Sequence, residues 1–229
     1  MTFRDDTDTH PLLDYPGYKS TRLRHPKQPL ILLPQRLTEL TAPVLGEDRL
    51  GELDHDLTRQ HAGEPIGQRI IVHGHVSEDD GRPVPQTLVE IWQANAGGRY
   101  RHRWDNWPSP IDENFTGVGR CLTDQQGYFR FVTIRPGAYP WGNHANAWRP
   151  AHIHFSVLGP GFLTRLVTQM YFPGDPLFPL DPIFNSVRDP AVRARMIASF
   201  DLSLTVPEWG LGFRWDIVLR GRDATPMLP

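Results

Sequence analysis

Short runs of alternating apolar and polar residues, separated by turn residues, dominate the chain from about residue 66 onward. Alternation with a period of two is typical of β-strands that are buried on one face. Turn residues at 78–83 and 124–127 predict that the first four runs pair as two hairpins. The candidate strands cover residues 70–76, 87–92, 119–123, 128–134, 151–158, 163–172, 202–206 and 213–219. This pattern predicts an all-β fold with an antiparallel β-sandwich core.

One short helix and one irregular segment complete the predicted organisation. Asp189 is a good N-cap, Pro190 suits the first helical position, and the helix is predicted to run to about Ser199. Residues 1–65 hold scattered prolines and short apolar groups such as residues 30–33, without a sustained period. We therefore predict a long N-terminal arm at 1–65 and one β-sandwich domain at 66–229.

Composition narrows the classes of function. The 229 residues include 23 Pro and 20 Gly, a density that disfavours a mostly helical fold. The net charge of −2 gives no global positive field, so we expect neither nucleic acid nor an anionic lipid surface as a partner. No run approaches the length of a membrane span and the first residues are polar, which predicts a cytoplasmic protein. The single cysteine, Cys121, excludes a thiolate zinc cluster, so a metal would need N and O ligands.

Histidines in His-x-His pairs are the first candidates for chemistry. The chain has no Walker loop, no His-Glu-x-x-His and no Gly-x-Ser-x-Gly motif. Two pairs, His73 with His75 and His152 with His154, lie in predicted strands. Residues two apart on a strand share a face, with about 6.6 Å between their Cα atoms, so either pair could bind one metal ion.

Context separates the two pairs. His73 and His75 flank a glycine on a polar strand side, which favours a solvent-facing or interface-facing position. The second pair follows the turn-rich segment 136–141, which holds Tyr139, and Tyr100 ends another strand-like segment. From the residues alone, core histidines and tyrosines with satisfied polar groups remain an alternative. The acidic stretch 54–56 suggests a turn or an interface rather than a metal cluster.

These residues lie in blocks that resemble the intradiol ring-cleaving dioxygenases, in particular their protocatechuate type. The two tyrosines and two histidines occur in the family's order, each inside a matching block. The resemblance extends over roughly residues 15–222. Its blocks are residues 88–100, 119–124, 139–141, 148–155, 169–172 and 214–221.

The resemblance implies a mononuclear, non-haem Fe(III) site. Its ligands would be Tyr100, Tyr139, His152 and His154. A free tyrosine has a pKa of about 10, so it ligates as phenolate only beside a strong Lewis acid. Two phenolates and a hydroxide offset the three positive charges of Fe(III), whereas a ligand set of two histidines and one carboxylate suits Fe(II).

The resemblance also implies the reaction and the catalytic residues. The catechol would chelate iron through both oxygens, with Tyr139 and the hydroxide taking its protons. The co-substrate O2 would cleave protocatechuate (3,4-dihydroxybenzoate) between the oxygenated carbons to 3-carboxy-cis,cis-muconate, a step of the β-ketoadipate pathway. Arg149 would stabilise the electron-rich substrate, a surface ion pair being the alternative. Gln169 would lie near the O2 pocket.

The remaining implied features concern substrate binding and assembly. Trp141 would line the pocket with Arg149, and Tyr18 on the arm would approach the substrate carboxylate. A homologous α chain would complete a hetero-oligomer of αβ units. Residues 104–111 and His144 depart from the family pattern, which leaves the specificity pocket open.

Three alternatives remain at this stage. One is a homodimeric catechol or hydroxyquinol dioxygenase, which usually has a helical N-terminal linker that residues 1–65 do not predict. Another is a β-sandwich carrier or structural subunit without the iron chemistry. The third is a zinc hydrolase using His152 and His154, which would not need two tyrosines and would be colourless.

Overall fold

Within the part of the chain that the structure describes, eleven strands form two main sheets and a short ribbon. The structure, a computed structural model, describes residues 9–29, 50–142, 145–158 and 166–228. The apolar group at 30–33, His144 and the start of the run at 163–172 lie outside these ranges. The strands are β1 (Arg69–Ser77), β2 (Leu88–Trp92), β3 (Val118–Leu122), β4 (Tyr128–Ile134), β5 (Tyr139–Trp141), β6 (Ala147–Arg149), β7 (His152–Leu158), β8 (Leu166–Tyr171), β9 (Ser199–Val206), β10 (Gly210–Arg214) and β11 (Ile217–Val218).

The two main sheets pack face to face, and the predicted β-sandwich is confirmed. In the first sheet, β1 pairs antiparallel with β4 and parallel with β10 and β11, while β9 pairs antiparallel with β10. This sheet is therefore mixed rather than wholly antiparallel. The second sheet has the order β3-β2-β7-β8 and is antiparallel throughout. Buried Val72, Phe131, Ile91, Ile153 and Phe155 belong to the core between the sheets.

The two predicted hairpins are wrong. Both turns exist, since Gly81 N–H donates to Glu78 O and Gly127 N–H donates to Asp124 O. However, β1 and β2 lie in different sheets, and so do β3 and β4. Each connection thus crosses from one sheet to the other, because the apolar faces of both strands are buried in the same core.

The helices are short. The helix α1 (Thr21–Arg24) was not predicted, and α2 (Pro190–Ala194) begins at the predicted cap but ends early. The Asp189 carboxylate accepts the N–H of Ala191, as an N-cap should. The predicted end at Ser199 is wrong, because Ala198 N–H donates to the Tyr171 carbonyl and the chain then enters β9.

Part of the predicted arm packs on the sandwich. Leu57 is fully buried in the main core, and its N–H donates to Val132 O on β4 at 2.8 Å. The division at residue 65 stays a prediction, although Leu57 shows that core packing begins before that residue. The sequence predicts no membrane-spanning helix. Among the described residues, no helix is long and apolar enough to cross a membrane.

A second apolar cluster packs around β8 and the segment that follows it. The segment contains two 3₁₀ turns, Phe178–Leu180 and Phe184–Ser186. The cluster consists of Tyr171, Ile183, Phe184, Val187, Val192, Met196 and Leu228, with Tyr18 and Trp141 packed against it. Through Tyr18 and Trp141 this cluster reaches the β5-β6 ribbon and the described part of the arm.

Candidate metal centre

The outer face of the second sheet carries the polar residues that the sequence singled out. On β7, Ile153 and Phe155 point into the core, so His152 and His154 point to the opposite face. The strand register aligns His154 with Trp92 and Gln169, and it aligns His152 with Tyr171. The sheet itself therefore brings residues of three strands onto one face.

Two glycines bring the tyrosine loops onto this face. Gly98 has φ +77°, and a Cβ there would lie 2.3 Å from the Ala138 carbonyl oxygen. A Cβ on Gly137 would likewise lie 2.3 Å from the Ala96 carbonyl oxygen. Such approaches exclude any side chain. The loop that ends in Tyr100 can therefore touch the loop that leads to Tyr139 because both contact points are glycine.

Four side-chain atoms form a closed ring. The Oη atoms of Tyr100 and Tyr139 are 3.4 Å apart, and Tyr139 Oη lies 3.4 Å from His152 Nε2. His154 Nε2 lies 3.2 Å from both His152 Nε2 and Tyr100 Oη. Ligand atoms at about 2.0 Å from a tetrahedral metal ion would be about 3.3 Å apart. The ring thus has the spacing of donors that share one metal ion.

Both imidazoles are neutral, which is the form that binds a metal ion. His152 Nδ1 lies 2.6 Å from the Pro150 carbonyl oxygen, a contact that assigns the proton to Nδ1 and leaves Nε2 as an acceptor. The His154 ring stacks on Trp92, with 4.7 Å between centroids and 5° between planes. Burial lowers the pKa of His152 well below its usual value and lowers the pKa of His154 to about 3, and the Arg149 charge adds to both effects.

The two phenols stay protonated unless a cation joins them. Burial raises the pKa of Tyr100 well above its usual value, and the neighbouring Tyr139 phenol adds to this. Burial also raises the pKa of Tyr139, against the opposing charge of Arg149. A strong Lewis acid reverses this preference, because it stabilises the phenolates directly.

The donor set fits a trivalent metal better than zinc. Among the described residues, no group of three or more His, Cys, Asp or Glu side chains is placed to bind a metal ion. A metal in the ring would therefore bind two imidazoles and two phenolates. Phenolates are hard anions that offset a high charge, which supports ferric iron. The residues thus fit the implied group.

Arg149 is deeply buried, so the alternative of a surface ion pair is wrong. Its exposure is 3%, and its Nε lies 3.1 Å from Oδ1 of Asp181, which is fully buried. Its Nη2 donates to Gln169 Oε1 and, at 3.2 Å, to Tyr171 Oη. In the β5-β6 ribbon, Arg149 pairs directly with Tyr139. The ribbon, which was not predicted, thus sets the arginine next to a candidate ligand.

Sequence reasoning missed Tyr171 and Asp181. Tyr171 follows Gln169 by two positions on β8, so strand alternation could have identified it as a residue of the same face. Asp181 follows a 3₁₀ turn in a proline-rich segment, and no local pattern marks it as buried. Only the packing of that segment against β8 reveals it.

Trp141 and Tyr18 extend the site toward the arm. Their ring centroids are 4.7 Å apart in an edge-to-face contact. The Arg149 guanidinium carbon lies 5.5 Å from the centre of the Trp141 ring. Trp141 thus contacts both the arm tyrosine and the buried arginine.

The other sequence candidates lie elsewhere. The His73 ring is buried and contacts Asp201, so the solvent-facing alternative is wrong for His73, whereas His75 is partly exposed. The interface-facing alternative stays a prediction. Asp54 and Asp56 form turns, with Asp54 also paired to Arg120 at 2.6 Å, in agreement with the turn interpretation. None of these groups belongs to the four-atom ring.

Comparisons with known proteins show the family of the chain. A family model described as Dioxygenase matches residues 40–221, and one described as Protocatechuate 3,4-dioxygenase beta subunit N terminal matches residues 3–36. The chain is 56% identical over 224 residues to the protocatechuate 3,4-dioxygenase beta chain of Burkholderia cepacia, covering 97% of this chain and 95% of that one. It is 36% identical to catechol 1,2-dioxygenase of Acinetobacter baylyi, over 49% of this chain and 39% of that one.

A solved structure supports the fold independently. The 3-chlorocatechol 1,2-dioxygenase of Rhodococcus opacus 1CP matches with a TM-score of 0.55 at 23% identity, over 74% of this chain and 65% of that chain. The chain belongs to the intradiol dioxygenase family. Within it, the chain groups with the protocatechuate 3,4-dioxygenase beta chains, so the predicted family and enzyme class are confirmed.

Proposed function

We propose that this chain uses non-haem Fe(III) and O2 to cleave protocatechuate between its two hydroxylated carbons. The product is 3-carboxy-cis,cis-muconate, which takes up both oxygen atoms, so the reaction needs no external reductant. The near-full-length similarity to a protein of that named activity supports the substrate. This step belongs to aromatic degradation by the β-ketoadipate pathway.

The observation that carries the proposal is the ring of two phenol and two imidazole donors. Tyr100, Tyr139, His152 and His154 would hold one ferric ion. When bound, ferric iron would supply the Lewis acid that activates the catechol for reaction with O2. The neutral imidazoles and the short distances, 3.2–3.4 Å, support this ligand set.

Tyr139 is the proposed base for the substrate. Its Oη is one of the four donor atoms and can take a proton from a catechol hydroxyl. Tyr100 is the proposed permanent ligand, and its backbone N–H donates to the Asp105 carboxylate at 2.8 Å. The proton-accepting role is assigned to Tyr139 because the resemblance to the family implies it.

Arg149 supplies a fixed positive charge beside the ring. It would stabilise the negative charge that develops on the substrate oxygens, and Gln169 accepts from its Nη2. Trp141 and Tyr18 would line the aromatic pocket, with Tyr18 toward the substrate carboxylate. A homologous α chain as partner is supported by the beta-chain names of the matched family model and relative.

Oxygen uptake tests the proposed substrate. Iron-loaded chain is assayed with protocatechuate, catechol and hydroxyquinol in parallel, with and without a co-expressed α chain. We expect uptake of one O2 per protocatechuate and much slower uptake with the other two compounds. Equal or faster uptake with catechol or hydroxyquinol would contradict the proposal that protocatechuate is the substrate. A colourless protein that contains zinc and no iron would contradict the proposal that the metal is Fe(III).

Substitution of Tyr139 tests the ligand set. We expect Tyr139→Phe to weaken the visible tyrosinate-to-iron band and to slow anaerobic binding of protocatechuate, because both a ligand and a base are lost. Tyr128→Phe, on the first sheet, is the matched control. An unchanged spectrum in Tyr139→Phe would remove Tyr139 from the ligands.

A further inference from the structure

A closed buried network surrounds the Arg149 guanidinium. Nη2 donates to Tyr171 Oη at 3.2 Å, and Tyr171 Oη lies 3.1 Å from Asp181 Oδ2. Asp181 Oδ1 then lies 3.1 Å from Arg149 Nε, an ion-pair contact without the geometry of a hydrogen bond. Arg149, Tyr171 and Asp181 thus form a ring of contacts, and the exposure of each is 3% or less.

The donor inventory decides the direction of each hydrogen bond. The two Nη2 protons go to Gln169 Oε1 and Tyr171 Oη. The single Tyr171 hydroxyl proton has two acceptors in reach, Gln169 Oε1 at 2.9 Å and Asp181 Oδ2 at 3.1 Å. We assign it to the carboxylate, because an ionised acceptor makes the stronger bond and Gln169 already accepts from Arg149.

Charge makes Asp181 necessary. A buried guanidinium without a counter-ion is strongly destabilised, and nearby ferric iron would add to the repulsion. Asp181 balances this charge, so the two phenolates remain available to offset the metal. Asp181 also accepts the N–H of Ile183 at 2.9 Å, and its carbonyl accepts from Asn185. These bonds fix the carboxylate to the 3₁₀ segment.

We propose that Asp181 is a positioning residue for the reaction, acting through Tyr171 and Arg149. It balances the buried guanidinium charge and fixes the orientation in which Nη2 donates to Gln169 and Tyr171. Asp181 itself does not contact the four ring atoms in this structure. This inference rests on the proposed function, which requires the positive charge of Arg149 beside the substrate. We assign to Asp181 the task of orienting that charge.

A double-mutant cycle tests the proposal. Asp181→Asn, Arg149→Gln and the double variant are compared with wild type for iron content, the resting visible band, anaerobic protocatechuate binding and kcat for O2 uptake. We expect Asp181→Asn to keep its iron and visible band while kcat falls by about 10-fold to 100-fold, the usual effect of losing an outer-shell partner. The double variant should be no slower than Arg149→Gln alone.

Melting of the iron-free chain supplies a readout independent of activity. Each single variant leaves one buried charge unpaired, so each should lower Tm, and the double variant should melt higher than the sum of the two losses predicts. Asp189→Asn, an exposed N-cap exchange on α2, is the control and should change neither kcat nor iron content. Additive Tm losses would overturn the proposal.

Two outcomes distinguish failure of the positioning role from failure of the proposed function. If Asp181→Asn has the kcat of wild type, the positioning role is wrong. If wild type takes up no O2, the proposed function is wrong, and the Tm values of the single and double variants then test the link between Asp181 and Arg149. If Asp181→Asn does not fold, Tyr171→Phe removes the hydroxyl link and keeps the ring that packs on Phe178 and Phe184. It should lower kcat with iron retained, and an unchanged kcat overturns the proposal.

Discussion

The two His-x-His pairs share a motif but differ in what surrounds them. On β1, His73 Nε2 lies 2.9 Å from the Asp201 carboxylate, and His75 Nδ1 lies 3.5 Å from the Asp216 carboxylate. On β7, the two Nε2 atoms are 3.2 Å apart and face two phenols. Each histidine of the first pair contacts its own carboxylate, whereas the histidines of the second pair face each other and two phenols. Partners from other strands and loops, rather than spacing, therefore distinguish the two pairs, and only the second has the geometry that the proposed metal site needs.

The largest expected difference is in iron binding. His154→Gln should lower iron affinity by more than about 10-fold and remove the visible band, because it takes one donor from a ring of four. His75→Gln, which has the same position in the other pair, should bind iron as wild type does. Iron content and the visible spectrum after purification measure both. Equal iron loss in the two variants would refute the distinction.

The middle residue of the first pair, compared with an open glycine elsewhere in the chain, gives the next contrast. Gly74 lies against the chain at Trp215, and a Cβ there would lie 1.8 Å from the Trp215 carbonyl oxygen. Gly74→Ala should therefore cost about 1–3 kcal/mol of unfolding free energy, as overpacking usually does. Gly142→Ala, where no atom lies within 4 Å of the new Cβ, should change it by less than about 0.5 kcal/mol. Denaturant unfolding measures both, and equal costs would contradict the packing argument.

The smallest expected effect is a pH dependence of stability in the first pair. Burial lowers the pKa of His73 below 6.5, against the opposing effect of Asp201, while Arg214 lowers it further and Asp216 raises it. As pH falls below 6.5, the unfolded chain gains this proton before the folded chain does, so stability falls until pH reaches the folded pKa. His73→Gln should remove this part of the acid loss.

Unfolding free energies at pH 7 and pH 5 measure the effect. Wild type should lose more stability over this interval than His73→Gln does, and the difference between the two proteins isolates His73 from the other titrating groups. His75→Gln is the matched control. Because the solvent-exposed contact between His75 and Asp216 contributes little to stability, the variant should lower the unfolding free energy at pH 7 by less than about 1 kcal/mol. A steeper acid loss in His73→Gln would reverse the assigned sign.

Alternation predicted the strands that bury one face, but not their partners. Ile153 and Phe155 identify the core face of β7 from sequence, and so place His152 and His154 on the other face. The same reasoning failed for the hairpins, because a turn at 124–127 does not reveal whether the next strand joins the same sheet. Pairing depends on contacts between residues distant in sequence, which a local pattern does not contain.

The sequence by itself determined the β-sandwich, the family and the candidate ligand types, because periodicity, turn residues and blocks that resemble a known family are local properties of the chain. The tertiary structure decided three further points. It joined Tyr100 to Tyr139 through the contacts at Gly98 and Gly137. It separated the two histidine pairs, and it buried Arg149 against Asp181. Each of these depends on the free energy of burying polar groups together, and that depends on which distant segments the fold brings into contact.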